Sequence, residues 1–508
     1  MKIFATIFIS LNIFCVSITS AQDLVSVGVQ KQLLVDDYII DLKQNITREL
    51  GKPIKMGVVM ASSVPTDFHP TGLPKIGDPF LGARTTVLWN EQQKKFQMMY
   101  RENNEVITGY SESRDGINWT KPFIADNGKS NLITYHGKTQ GTFYEASFMI
   151  DPTVPWGHPE KYKAAYNPGN AMCALAYSAD GIHWTGYNDG ESVTGRAADT
   201  HNQILWDPIG NRYLLMTRSD LGAAGGLTED RASRVMAHVK GNDILGYQKA
   251  WETLSTVTVD DPQCKKTSSG VRVLQMEAMT LWIYENVYFS LMRVLTVGQL
   301  TGAEGRVSVA DNNKRPEADV IDFYIGTSRD AVNFDKTWIY ARKPLIERGG
   351  SGSFDMAMVL AASEIVTRGD EHWIYYGGMD ARHHDTGSAK SKGGQIGLAI
   401  LPLDRFISQS AKDKLGTITT KPFELQGDKL QVNVEVPNGR FYVEVLNAEG
   451  KPIPGFSVKQ AKIFESVDQL RLQPRWKNNN DLSSLKGKTI RLKFYLENAK
   501  LFAFQIIK

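Results

Sequence analysis

A seven-residue turn that recurs along the chain constrains its fold more than any other feature. Ser113-Arg114-Asp115-Gly116-Ile117-Asn118-Trp119 returns as Ser178-Ala179-Asp180-Gly181-Ile182-His183-Trp184, and again, eroded, as Ser328-Arg329-Asp330-Ala331-Val332-Asn333-Phe334. The copies begin at 113, 178 and 328, so the second interval has room for two repeats of about 75 residues. Asp-Gly supplies the positive φ of a tight turn, and the aromatic residue closing each copy can fold back between neighbouring sheets. A hairpin pattern accompanies the turn: an apolar strand, a polar turn and a second strand at Trp89 to Tyr100, Asp151 to Tyr166, Trp206 to Thr217, Trp282 to Leu291 and Thr367 to Tyr376. Alternating segments such as Trp373-Ile374-Tyr375-Tyr376 read as strands, and residues 75–405 hold no long amphipathic helix. Five sheet-forming units of roughly 55 to 80 residues, none able to bury both faces alone, suit closure into a five-bladed β-propeller.

The flanks read differently. Lys2, the apolar run Ile3 to Val16 and Thr19-Ser20-Ala21 have the layout of a cleavable signal peptide over residues 1–21. Export to the periplasm or beyond is therefore expected, with no membrane span after cleavage. Residues 22–415 are assigned to the propeller, where Leu33-Leu34-Val35-Asp36-Asp37-Tyr38-Ile39-Ile40 is expected as one strand helping to close the ring. Residues 416–508 alternate as strands with Asn-, Gly- and Pro-bearing turns, the pattern of a C-terminal β-sandwich, with Trp476 and Phe494 expected in its core. The whole is all-β. Cys15 leaves with the signal, and Cys173 and Cys264 are expected as free or buried thiols rather than a disulfide framework. A formal charge of +3 shows no electrostatic footprint for nucleic acid. Oligomeric state is not readable from the sequence.

Residues at the starts of the innermost strands of a propeller converge from different blades. Reading back from the hairpins gives Glu145, Asp199, Glu277 and Asp355 at four such starts, and Arg84 at the first. Converging carboxylates repel and separate one another's proton affinities, which suits acid–base chemistry. Glycosidic cleavage needs such a pair: one protonated carboxyl for the leaving oxygen and one carboxylate as base or nucleophile. Glu277 and Asp199 are the expected acid and base, with Glu145 and Asp355 in support. Arg84, Arg101 and Arg218 can hold a uronate or sulfate, and His201, Asn202 and Tyr376 are expected at the substrate. Alternatively, some of these acids pair with the arginines and only brace the channel. No cofactor is required; the acids leave room for calcium but fix no coordination set. His383-His384-Asp385 sits in a polar, Gly/Ser/Lys-rich stretch that reads as a rim loop rather than a metal site.

Leu34-Val35-Asp36-Asp37-Tyr38, the Ser-x-Asp-Gly-Ile-x-Trp turns, Ala198-Asp199-Thr200-His201-Asn202 and Trp373-Ile374-Tyr375-Tyr376-Gly377-Gly378 together resemble exported bacterial proteins related to the five-bladed glycoside hydrolases that cleave fructans and arabinans. The resemblance spans roughly residues 30 to 405 and implies a carbohydrate-active enzyme. In that family a first-blade acid is the nucleophile or base, whereas this chain presents Arg84 there. Similar proteins in the breakdown of ulvan and other marine polysaccharides act on unsaturated oligosaccharides by eliminating water. The resemblance therefore leaves three readings: a glycosidase for oligosaccharides of an acidic polysaccharide, an oligosaccharide dehydratase or lyase, and a non-catalytic sugar-binding propeller.

Overall fold

The computed structural model describes residues 24–64, 85–101, 108–125, 128–137, 143–169, 171–196, 201–220, 231–239, 245–259, 273–296, 319–382 and 394–508. Over these the chain is almost entirely β; the one described α-helix is the single turn Thr337–Tyr340. None of the described helices is long and apolar enough to cross a membrane.

Up to residue 402 the sheets follow chain order. Thr85–Asn90, Lys95–Arg101 and Thr108–Ser113 form the first, and Tyr144–Ile150, Tyr162–Asn167, Ala174–Ser178 and His183–Gly186 the second, with Thr134–His136 added in parallel. The third comprises Gln203–Asp207, Arg212–Asp220, Arg231–His238 and Trp251–Val257. An eight-stranded sheet follows in two halves. Leu274–Tyr284, Val287–Thr296 and Val320–Ser328 form one; Met358–Ala361, Glu371–Met379, Gln395–Pro402 and Ile54–Met60 form the other, with Val366–Arg368 beside Glu371–Met379. A single parallel pairing, Ile321 with Met358, joins the halves. Tight turns explain the antiparallel pairs: Glu285 (φ 47°) and Asn286 (φ 63°) form a two-residue loop whose twist matches its strands. Strands such as Val287–Thr296 are buried at every residue because both faces meet other layers.

The first strands of successive units meet side by side, which closes the ring. The Ser363 N–H donates to the Thr85 carbonyl at 2.9 Å, and its hydroxyl contacts Thr86 Oγ1 and His201 Nε2, each at 2.8 Å. The Gln203 amide donates to the carbonyls of Leu281 (2.9 Å) and Ser363 (3.0 Å) and accepts the Leu281 N–H at 2.7 Å. The Phe148 N–H reaches Thr86 Oγ1 at 3.3 Å. Such buried polar groups are cheap only when paired, so these bonds fix the mutual register of the units.

The repeated turn has one construction in all three copies. The Asp carboxylate accepts two backbone N–H groups, Ile117 and Asn118, Ile182 and His183, or Val332 and Asn333, at 2.8–2.9 Å. The Ser hydroxyl accepts the N–H of Gly116, Gly181 or Ala331, residues at φ 79°, 82° and 59°. Hydrogen bonds from the Asn118 backbone and side chain hold Asp115 well below the usual carboxylate range. At Asp330 burial opposes the same bonds and loses, leaving it lowered to about 2. Trp184 is fully buried against Phe143 and Phe148, its indole N–H on the Gly181 carbonyl at 3.0 Å. Gly116 sits so close to the last ring unit that a Cβ there would lie 2.6 Å from the Tyr375 hydroxyl, which donates to its carbonyl at 2.8 Å. The turn thus carries contact between units as well as reversing the chain.

Residues after 402 and the N-terminal flank share a ten-stranded sheet bent around the long Lys429–Asn447 strand. One half of that strand pairs with Ala499–Ile507 and the other with Thr489–Glu497, and both halves feed one apolar cluster. Trp476 and Phe494 lie in that cluster, as expected. The expected single strand from Leu33 to Ile40 is instead two. Gln32–Leu33 pairs with Ala499–Ile507 and Ile40–Gln44 with Gly416–Thr420, both in the ten-stranded sheet. Asp36 breaks the strand: its carboxylate caps the Tyr38 N–H at 3.0 Å and grips Arg329 of the third turn at 2.9 and 3.1 Å. The ring is closed by Ile54–Met60, which pairs with Gln395–Pro402. Cys173 is a free, buried thiol, pushed up by that burial, and Cys264 lies outside the described residues.

Trp184→Ala removes a fully enclosed indole and is expected to cost about 3–5 kcal/mol of stability. Denaturant titration compared with Trp119→Ala, whose indole is only half-buried, checks this; the smaller loss belongs to Trp119.

Candidate active site

The Leu274–Tyr284 strand would pair regularly with Val287–Thr296 but for one residue. Met276 faces Val294 and Ala278 faces Arg293, so Glu277 is the extra residue of a bulge. A bulge re-aims a side chain that would otherwise alternate into the sheet. Glu277 is buried and ion-paired with Arg231 of the third sheet, and Arg218 Nη1 stands 3.9 Å from the same carboxylate oxygen. Arg218 and Arg231 come from the paired strands Arg212–Asp220 and Arg231–His238, and Arg293 lies opposite the bulge. All three guanidiniums are at least nine-tenths buried. Bringing two such cations, Arg231 and Arg218, to one carboxylate across two sheets is costly in desolvation, and structures tolerate it where charge is used. Two neighbouring guanidiniums favour the anionic carboxylate, which suits Glu277 to accept a proton or attack a carbon rather than donate.

Asp355 occupies a second cluster. Its carboxylate takes Lys55 Nζ at 2.6 Å and the Tyr376 hydroxyl at 3.2 Å, and it is almost fully buried. Burial first, and Asp355 second, push the Tyr376 hydroxyl far above its ordinary range, so Tyr376 remains a donor. Gly378 explains the Gly377-Gly378 pair: a Cβ there would run into Phe354 and the Asp355 side chain. Asp355 is thus held by a lysine and a tyrosine rather than by one of the arginines.

His201 and Asn202 precede the Gln203–Asp207 strand and are buried at the ring's centre. His201 reaches Ser363, tying its imidazole to the ring closure. Next to Ser363, Glu364 has no hydrogen-bond or ion-pair partner among the described residues, and burial alone raises its carboxyl to about 7. Glu145 lies in the Tyr144–Ile150 strand and Arg101 ends Lys95–Arg101, but their side chains lie outside the described set. Arg84, Asp199 and His383-His384-Asp385 also lie outside the described residues. Among those described, no group of three or more His, Cys, Asp and Glu is placed to hold a metal ion.

Sequence reasoning missed Arg231, Arg293, Lys55 and Glu364. Arg293 carried a usable signal, as the one charge in the otherwise uncharged Val287–Thr296 strand. Lys55 carried none, because it stands in a strand with exposed Ile54, Met56 and Val58.

No protein family matches the chain, and neither does any curated protein. Solved structures do. A thermostable family-43 glycoside hydrolase aligns at 12% identity over 66% of this chain and 95% of its own, with a TM-score of 0.41. A fructofuranosidase from Schwanniomyces occidentalis aligns at 8% identity over 96% of this chain and 100% of its own, with a TM-score of 0.39. An N-acetylgalactosamine deacetylase from F. plautii aligns at 13% identity over 72% of this chain and 97% of its own, with a TM-score of 0.40. These likenesses assign no activity to this chain.

Two measurements check the electrostatics. Arg231→Met leaves Glu277 short of a buried partner and is expected to cost about 3–5 kcal/mol, whereas adding Glu277→Gln to it recovers part of that loss in a double-mutant cycle. Glu364 has its folded carboxyl raised above the unfolded value. Its protonated form is therefore favoured by folding, a contribution complete below about pH 4.5 and lost as pH rises through about 7. Glu364→Gln should match wild-type stability near pH 4 and exceed it at pH 8; a pH-independent difference between the two would contradict the assignment.

Proposed function

We propose that the chain is an exported carbohydrate-active enzyme, a five-bladed β-propeller followed by a C-terminal β-sandwich, that degrades oligosaccharides of an acidic polysaccharide by glycosidic hydrolysis. Support for the blade count comes from the ring units: the first three sheets and the two halves of the eight-stranded sheet, joined by one pairing, make five. The bent ten-stranded sheet around one cluster supports the sandwich. The observation that carries the chemistry is Glu277, projected from a bulge and held by Arg231 and Arg218.

In this reading Glu277 is the carboxylate that activates water or attacks the anomeric carbon. Asp199, expected from the sequence as the base, exchanges roles with Glu277 in this reading and protonates the leaving oxygen. Water is added across the broken bond: its hydroxyl ends on the anomeric carbon and its proton on the departing sugar. Arg218, Arg231 and Arg293 suit a uronate or sulfate on the substrate, since guanidinium forks match planar oxyanions. Glu145 and Asp355, and Arg84 and Arg101, keep the supporting and substrate-binding roles expected for them from the sequence.

The same arginines favour a second reading. Elimination of water from an unsaturated uronate-bearing oligosaccharide needs a base for a carbon-bound proton, a proton for the departing hydroxyl, and cations beside the enolate that forms. Glu277 supplies the base, the guanidiniums the cations, and Asp199 the proton with which the hydroxyl departs as water.

Mass spectrometry of uronate-bearing oligosaccharides incubated with the protein separates the readings. Hydrolysis gives fragments whose summed mass exceeds the substrate by one water, and elimination gives one product lighter by one water. An unchanged panel supports a sugar-binding propeller instead. Glu277→Gln is expected to lower turnover about 100- to 10,000-fold; retention of full turnover would remove Glu277 from the chemistry.

A further inference from the structure

We propose that a basic groove at the seam between the ring and the C-terminal sheet docks an anionic saccharide chain, engaging its uronate or sulfate groups away from Glu277. The inference rests on the reading of the protein as a carbohydrate-active enzyme and adds a binding site to it. The groove has a volume of about 780 Å³, within the ~300–1,000 Å³ typical of ligand sites. One wall is the Glu49 to Lys55 segment, where the chain leaves the ten-stranded sheet for the ring-closing strand; the other is the loop from Lys343 to Arg348, with Lys412 at the rim.

Charge and its state of pairing argue for an anion. Lys52, Lys55, Lys343, Arg348 and Lys412 line the groove against Glu49 and Glu347. Three of the cations are occupied: Lys55 by Asp355 (2.6 Å), Arg348 by Asp322 (2.7 Å) and Lys412 by Glu49 (2.5 Å). Lys52 and Lys343 are exposed, and neither ammonium has an ion-pair or hydrogen-bond partner among the described residues. Each immediately precedes a proline, Pro53 or Pro344, which restricts the backbone of the lysine to extended conformations. The two cations therefore project from fixed points on opposite walls. Pro53, Pro344 and Leu50 offer apolar surface, and Glu347 offers an acceptor. A saccharide bearing carboxylates or sulfates has matching features: anions for the lysines, hydroxyls for the carboxylate and C–H faces for the prolines.

Position links the groove to the candidate active site. Asp322, which holds Arg348, is the Cα partner of Val294, and Val294 is the partner of Met276, beside Glu277. Two strand spacings of about 4.8 Å put Asp322, the carboxylate that holds Arg348, roughly 10 Å from the Glu277 strand. A chain long enough to span both would have one unit at Glu277 and its charged remainder in the groove. Lys55 reinforces the link, since it lines the groove and pairs with Asp355.

Titration calorimetry on Glu277→Gln protein, with and without Lys52→Ala and Lys343→Ala, tests the groove separately from turnover. The probes are hexameric oligogalacturonate, a sulfated dextran oligosaccharide and neutral maltohexaose. Binding of at least one anionic probe, weakening with added salt, is expected, with a loss of about tenfold or more in the double alanine variant and partial recovery in Lys52→Arg/Lys343→Arg. Which anionic probe binds distinguishes carboxylate from sulfate recognition. Equal binding by the double alanine variant, equal binding of maltohexaose, or no binding of either anionic probe overturns the proposal. Lysine-dependent binding in a protein that turns over no saccharide would retain the groove and refute the enzymatic reading. Turnover of an anionic oligosaccharide without lysine-dependent binding would do the reverse.

Discussion

Ser363 holds the structure closed. A ring of sheets has no stable open form here, because each unit leaves two broad apolar faces that only its neighbours can cover. The last unit must therefore find the first, and residue 363 is where it does so: its N–H takes the Thr85 carbonyl, its hydroxyl meets Thr86 and His201, and its carbonyl accepts from Gln203. Three polar groups of one small residue tie the first, third and last units at a buried point. Any slip of a strand by one residue would turn its side chains to the opposite face and strand these groups unpaired, so closure and register are one constraint.

That constraint explains which features were legible in the sequence. The Ser-x-Asp-Gly turn is readable because its hydrogen bonds are local: Asp115 caps residues two and three places on, and Gly116 needs a positive φ that the sequence announces. The five hairpins are readable for the same reason. The Leu33 to Ile40 segment was misread because its fate depends on residues nearly 300 positions away, where Arg329 draws Asp36 into a clamp and breaks the strand. Pattern alone gives the apolar alternation but not the partner. The ring-closing strand Ile54–Met60 was overlooked for the converse reason, since its exposed face carries Ile54, Met56 and Val58 and so lacks polar alternation.

The candidate site was legible only by position. Reading back from the hairpins located Glu277, but its setting depends on a bulge, and a bulge is a mismatch between two strands that neither strand shows alone. The pairing of Arg231 and Arg218 with Glu277 is likewise invisible, because it forms only when the third sheet packs on the fourth. Asp355 shows the limit of positional equivalence. The sequence placed both acids at strand starts, but Glu277 is a bulge residue inside the Leu274–Tyr284 strand, whereas Asp355 lies ahead of Met358–Ala361 with Lys55 and Tyr376 on its carboxylate, so the two have different chemical prospects.

Closure also organises the charge around the site. Glu364, beside Ser363, is only partly exposed, and desolvation raises its carboxyl to about 7. Three strands away in the same sheet system, Glu277 experiences the opposite influence from two guanidiniums. Burial thus acts on one carboxyl of the ring, and paired guanidiniums on the other. The strand order that puts the arginines on the third sheet and the glutamate on the fourth means that the pairing exists only where those two neighbouring sheets pack together, as an ion pair across the seam between them.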